Sequence, residues 1–277
     1  MLRQRVLTAL VLVAVLLPTI AVKTVWPFAA FTILGIGAAG WEWARLNGAG
    51  GAAVAMGIVL AVACTTALAA GWADAAPASA WWLATALWVV GGVAALRQGV
   101  QRWPVWPQPV RIVLGLVLLF AAWLALVHAK SIGVNFILSV LALVWAADIA
   151  AYFGGRRFGR RKLAPAISPG KSWEGAWSGL LGAFALAALW LAIDRAVPID
   201  SESVYSALDA RLGLAGLAVA VAALTAMGVV GDLFESLVKR SAGAKDSSAL
   251  LPGHGGVLDR VDALLPVLPL ALALVSL

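Results

Sequence analysis

The sequence predicts an all-α integral membrane protein of about nine transmembrane helices, with its N-terminus in the cytoplasm and its C-terminus on the far side. Two observations carry that expectation. Of 277 residues, 63% are hydrophobic and only 12% are charged, whereas soluble domains sit at about 45–50% and 25%. The mean hydropathy of +0.97 also excludes disorder, which needs low hydrophobicity and high charge. The second observation is a series of apolar runs, each close to the roughly 20 residues that a helix needs to cross a bilayer.

The first run, Val6 to Val22, follows Arg3 and Arg5 and ends at Thr19, Ile20 and Ala21. It resembles a secretory signal, but it is longer than the usual apolar stretch of about 7–15 residues and so reads as a span. Trp26 to Ala44, Ala52 to Trp72 and Ala78 to Ala95 complete an N-terminal part of about four helices within residues 1–100. Pro104, Pro107 and Pro109 make the segment from Gln98 to Arg111 the expected hinge. Five further runs follow within residues 110–277: Val113 to Val127, Gly133 to Phe153, Gly175 to Ile193, Gly213 to Val230 and Val257 to Ser276.

Basic residues fix the orientation. With the N-terminus inside, Arg3, Arg5, Arg45, Arg97, Arg102, Arg111, Arg156, Arg157, Arg160, Arg161, Lys162, Lys171, Lys239, Arg240, Lys245 and Arg260 are cytoplasmic. Only Lys23, Lys130, Arg195 and Arg211 face the other way. This asymmetry places the two most polar loops, 154–174 and 231–256, in the cytoplasm. The net charge of +7 is therefore mostly a topology signal, with no nucleic-acid partner implied. Trp26, Trp41, Trp43, Trp72, Trp81, Trp82, Trp103, Trp106, Trp173 and Trp177 lie near span ends and read as interface anchors. Gly175 and Gly179, four apart, suit close helix packing. Cys64 is alone, so neither a disulfide framework nor a thiolate metal cluster can form.

Eight acidic residues lie in or beside the cytoplasmic half: Glu42, Asp148, Glu174, Asp232, Glu235, Asp246, Asp259 and Asp262. Ionisable groups at membrane depth cost about 2.5–3.5 kcal/mol each, so a cluster needs partners, water or a cation. Asp232, Glu235, Ser236 and Lys239 fall at i, i+3, i+4 and i+7, a polar stripe on a helix. Such a stripe also suits an ordinary amphipathic surface helix. Pro252, Gly253, His254, Gly255 and Gly256 then lead to Asp259, Arg260 and Asp262. Glycines ahead of a helix start let backbone N–H groups approach an anion, although Asp259 could simply cap that helix. Carboxylates beside Lys239, Arg240, Lys245 and Arg260 look like a place where Mg²⁺ and several phosphates meet, because magnesium takes one or two protein carboxylates and completes its shell with water and phosphate oxygens. Zinc fits poorly, since His128 and His254 are the only histidines.

The loop 154–174 adds a basic wall, with Arg156, Arg157, Arg160, Arg161 and Lys162 followed by Ile167-Ser-Pro-Gly-Lys-Ser-Trp-Glu-Gly175. Attraction to anionic headgroups explains such a wall, and an anionic lipid substrate would use the same attraction. Pro165 to Ser172 ends like a P-loop but lacks its first glycine and a preceding strand. Gly253 to Leu258 starts like a dinucleotide fingerprint but lacks the last glycine.

The stretch Ser236-Leu-Val-Lys-Arg-Ser-Ala-Gly-Ala-Lys-Asp-Ser-Ser-Ala-Leu-Leu-Pro-Gly-His-Gly-Gly-Val-Leu-Asp-Arg-Val-Asp262 resembles the signature of the phosphatidate cytidylyltransferases, or CDP-diacylglycerol synthases. Ser168 to Gly175, with Asp148, Tyr152 and Gly155 before it, is also similar to that family. The strong likeness covers about 148–175 and 231–262; before residue 140 only Trp41-Glu-Trp43 adds a faint echo.

The resemblance implies an integral membrane enzyme, in bacteria of the inner membrane. It would use CTP and Mg²⁺ to convert phosphatidate to CDP-diacylglycerol with release of pyrophosphate at the cytoplasmic face, and it would form a homodimer. It implies that Asp232 and Asp259 hold the metal and that Lys239, Asp246 and Asp262 complete the catalytic set. Ser168, Lys171, Ser172, Glu174, Ser236, Arg240, Lys245, His254, Gly255, Gly256 and Arg260 would contact the substrates. The chemistry agrees: a phosphate monoester with a second pKa near 6 needs no strong base, so catalysis is mainly positioning and charge neutralisation. His254 then shapes the loop more readily than it acts as a base. A CTP-dependent membrane lipid kinase is the nearest alternative. A polytopic transporter is the alternative of another class, although it would carry its charges near mid-membrane in matching halves.

Overall fold

The computed structural model describes residues 2–277, with the side chains of residues 2–6 and 9 outside the description. Arg3 and Arg5, which count in the basic asymmetry, are thus outside the described side chains. The chain is mostly helical. In order come α1 (Leu2–Ala21), α2 (Trp26–Leu46), α3 (Ala53–Ala69), α4 (Trp72–Ala75), α5 (Ala78–Leu87), α6 (Val93–Gln98), α7 (Gln108–Ile132) and α8 (Val134–Phe158). A hairpin follows, β1 (Lys162–Ala164) with β2 (Ser168–Ser172), then α9 (Trp173–Ala196), α10 (Val204–Ser241), α11 (Leu258–Val261) and α12 (Leu264–Val275).

Among the described residues six helical segments are long and apolar enough to cross a membrane: Gly50–Ala69, Ala78–Gln98, Gln108–Ile132, Val134–Phe158, Trp173–Ala196 and Val204–Ser241. The expected count was nine. The ninth run does not begin at Val257 as one helix, because α11 breaks off and α12 has only 12 residues, about 18 Å against a hydrocarbon core of about 30 Å. Every residue from Leu265 to Ala273 is buried. A helix that is apolar all round and enclosed by protein is a core helix, and α12 packs against α5, α7 and α10.

The polar segments also differ from expectation. The region 154–174 is a helix end plus a two-stranded antiparallel hairpin, with Lys162 opposite Ser172 and Ala164 opposite Ser168, so the fold is not purely α. Ile167 N–H donates to Ala164 carbonyl at 3.1 Å, and Pro165 pre-sets the dihedral of that turn. The expected loop 231–256 is helical as far as Ser241. Gly213, at φ 67° and ψ 175°, breaks α10. The 28 residues beyond it would run about 42 Å, longer than the bilayer core, which carries the polar stripe out of the apolar zone.

Small residues let α8 and α9 approach closely. A Cβ on Gly179 would lie 2.9 Å from the Ala147 carbonyl, and one on Gly175 3.0 Å from that of Ala151. The tryptophans divide. Trp26, Trp72, Trp82, Trp173 and Trp177 are exposed, but Trp43, Trp81 and Trp103 are buried and are core residues, not interface anchors. Trp43 stacks on Phe234 at 5.8 Å, while Trp88 and Trp103 meet the same ring edge-on at 5.3 Å. This cluster backs the face of α10 opposite its polar stripe. The segment from Gln98 to Arg111 is tied to α2, since Trp103 Nε1 and Arg111 Nη1 both donate to Asn47 Oδ1, at 3.0 and 3.2 Å.

Candidate active site

The stripe on α10, the loop 242–257 and the end of β2 converge on one cluster of charges. Lys171 of β2 forms an ion pair with Asp232, whose other oxygen receives only a long contact from Ser236 Oγ at 3.4 Å. Asp148 of α8 lies within electrostatic reach of both Asp232 and Lys171, as does Asp262. Asp262 Oδ1 accepts the Ala263 N–H at 2.8 Å. Burial, then the charge of Asp232, pushes the Asp262 carboxyl up.

Next to this group, buried Lys239 bridges two carboxylates. It pairs with Glu235 and, at 2.5 Å, with Asp259 Oδ1. Asp259 Oδ2 accepts from Ser247 N–H at 2.9 Å, Ser247 Oγ at 2.8 Å and Gly256 N–H at 2.8 Å. Burial pushes the Asp259 carboxyl up, but Lys239 and the Gly256 and Ser247 amides outweigh it and hold the group at about 2. Gly255 sits at φ +81°, and a Cβ there would lie 2.7 Å from Asp259 Oδ2. Glycine is needed at that position for both reasons.

Beside the cluster opens a cavity of about 430 Å³ bounded by α1, α2, α7, α8, the loop and α12. Its walls are apolar, with Leu16, Phe28, Trp123, Leu251 and Leu264 among them. Arg260 is the one charged side chain among the described residues that line it.

The model of the cytidylyltransferase family matches residues 3–277. The chain belongs to that family. A phosphatidate cytidylyltransferase of Pseudomonas aeruginosa is 40% identical over 281 residues, 99% of this chain and 97% of the relative. One of Haemophilus influenzae is 45% identical over 142 residues, covering 51% of this chain and 46% of the relative. One of Staphylococcus epidermidis is 38% identical over 143 residues, 52% and 50% of the two chains. The cytidylyltransferase family makes this chain a nucleotidyltransferase enzyme.

Within this cytidylyltransferase the other expected site residues take varied places. Ser172 caps α9, its Oγ accepting from Gly175 N–H at 3.1 Å. Ser168 opens β2. Glu174 turns toward the base of the hairpin, accepting from Arg160 N–H at 3.0 Å and pairing with Arg161 at 3.3 Å. Arg240, in the last turn of α10, donates to Ala244 carbonyl at 2.9 Å. Lys245 and Asp246 are exposed. His254 keeps a buried Nδ1 without a hydrogen-bond partner among the described residues.

For Mg²⁺, hard carboxylate oxygens are the right donors, and Asp232 and Asp259 carry such oxygens. Each offers an oxygen whose nearest partner is a cationic lysine or a weak hydroxyl contact, an oxygen that a cation could share. Gly256 and Ser247 fix the other oxygen of Asp259, as hydrogen-bonded neighbours orient metal ligands. Among the described residues no group of three or more His, Cys, Asp or Glu is arranged to hold a metal by itself.

Sequence reasoning counted Glu42 among the acidic residues and Ser247 and Ser248 within the signature stretch, but assigned none of them a role in the site. Glu42 is fully buried in α2 and contacts the loop. The one available signal was the cost of a carboxylate inside an apolar run.

Proposed function

We propose that this enzyme transfers the cytidylyl group of CTP to phosphatidate, forming CDP-diacylglycerol and pyrophosphate. A phosphatidate oxygen forms a bond to the α-phosphorus of CTP as the bond from that phosphorus to the β-phosphate bridging oxygen breaks, and the electron pair leaves with pyrophosphate. The observation that carries this reading is the match to the Pseudomonas aeruginosa relative over 97% of that protein. The apolar cavity beside the charge cluster supports it, since acyl chains would fill the cavity with the phosphate turned toward Arg260.

In this reading Asp232 and Asp259 hold Mg²⁺, which when bound offsets phosphate charge as it accumulates on the leaving pyrophosphate. Lys171 and Lys239 set the positions of those two carboxylates and add positive charge at the site. Buried Ser236 and the α12 core keep bulk water from one side of the cluster. The apolar segments cross a bacterial inner membrane, with the site at the cytoplasmic face as the basic asymmetry indicates. A homodimer completes the reading.

The test is purified protein with labelled CTP, phosphatidate and magnesium. CDP-lipid with pyrophosphate is expected; a phosphorylated lipid with CDP would overturn the assignment. Asp259→Asn should remain folded in detergent yet lose turnover by about 100-fold or more, and normal pyrophosphate release by that variant would remove Asp259 from the metal role.

A further inference from the structure

The carboxylate of Glu42 lies outside the two segments that strongly resemble the family, yet it is 0% exposed and reaches both sides of the signature loop. Oε1 accepts from Ser248 Oγ at 2.5 Å and from Val257 N–H at 3.0 Å. Oε2 accepts from Leu258 N–H at 2.7 Å and lies 3.2 Å from Ser247 Oγ. No cation pairs with Glu42 among the described residues; Arg45, one turn on, donates to the Ser247 carbonyl instead.

A buried carboxylate without a counter-charge is costly unless its oxygens are fully hydrogen-bonded. Here the donors come from residues 247–248 on one side and 257–258 on the other. Asp259 ties the same two strands together from the far side, through Ser247 and Gly256. Ser247 Oγ stands between the two carboxylates and, with a single proton, favours the shorter contact to Asp259. The gap in which Asp259 Oδ2 is held is thus also spanned by Glu42. Gly256 makes this possible, since a Cβ there would overlap Ser247 Oγ and the Glu42 carboxylate.

We propose that Glu42 is a positioning residue for the cytidylyl transfer: it latches the 247–258 loop to α2 and thereby sets Asp259 opposite Lys239. Being enclosed, it touches no substrate. The proposal rests on the reaction assigned above, so its test includes an arm that needs no turnover.

Glu42→Gln keeps the shape but replaces an acceptor oxygen with an NH₂ facing donors. The expected result is a kcat lower by about 10–100-fold, the range for groups that orient metal ligands, with both apparent KM values nearly unchanged. In the substrate-free, metal-free protein, amide exchange should accelerate at 247–258 and stay slow in α10 and α12. Ser248→Ala removes one donor from the same carboxylate and should lower kcat less. Combined with Glu42→Gln it should add almost nothing, because coupled neighbours are not additive. Wild-type kcat in Glu42→Gln, unchanged loop exchange, or multiplied losses in the double variant would each overturn the proposal. If Glu42→Gln does not fold, Ser248→Ala decides by itself: wild-type exchange across 247–258 sinks the latch. If the wild-type protein makes no CDP-lipid, the reaction assignment fails while the exchange measurement still decides the latch.

Discussion

Lys171, near the end of β2, forms an ion pair with Asp232 on α10, joining the two polar segments at the carboxylate from which the acidic cluster starts. Both side chains are partly open, at 27% and 29% exposure, so the pair adds only about 0–1 kcal/mol to stability. Its value lies in charge placement. Lys171→Ala should leave the melting temperature in detergent within a few degrees of wild type while lowering kcat/KM by about 100-fold, as loss of a preorganised electrostatic group does. Steady-state kinetics beside a thermal melt checks this. A variant that melts much earlier but turns over normally would make Lys171 a structural residue only.

A second expectation concerns space. Gly256 N–H binds Asp259 Oδ2, and there is no room for a methyl group between Ser247 and Glu42. Gly256→Ala should force the strands apart, costing about 1–3 kcal/mol as overpacking does, and should cut turnover at least as strongly as any change at Glu42. Gly51→Ala is the control, because open space surrounds that glycine. Equal activity and equal melting of the two variants would show that the loop tolerates the widening.

These residues also mark what could be read from the chain. The polar stripe of α10 was legible because Asp232, Glu235, Ser236 and Lys239 repeat at a helical period, which is a local property. The burial of Trp43 and Trp103 was not, since lipid and protein interior are both apolar and composition does not separate them. The same ambiguity turned the enclosed α12 into an expected span. The hairpin hid in short strands, the second of them containing Pro169 and Gly170. Glu42 hid for another reason: two of its donors are backbone N–H groups, which every residue but proline carries, and they lie more than 200 positions away.

The aromatic cluster gives the last expectation, one of stability. Phe234 is 2% exposed and meets three tryptophans: Trp43 from α2, Trp88 between α5 and α6, and Trp103 beside α7. Removing the ring strips dispersion contacts from all three, and no water or lipid can replace them in an enclosed site. Phe234→Ala should therefore cost about 3–5 kcal/mol, whereas Phe234→Leu, closer in volume, should cost about 1.5 kcal/mol or less. The two effects should appear as a graded loss of melting temperature. The ring sits on the face of α10 away from Asp232 and Lys239, so the fraction that stays folded should retain its KM for CTP. An unchanged melting temperature in Phe234→Ala, or a KM shift larger than the stability loss, would show that this cluster does not anchor the long helix.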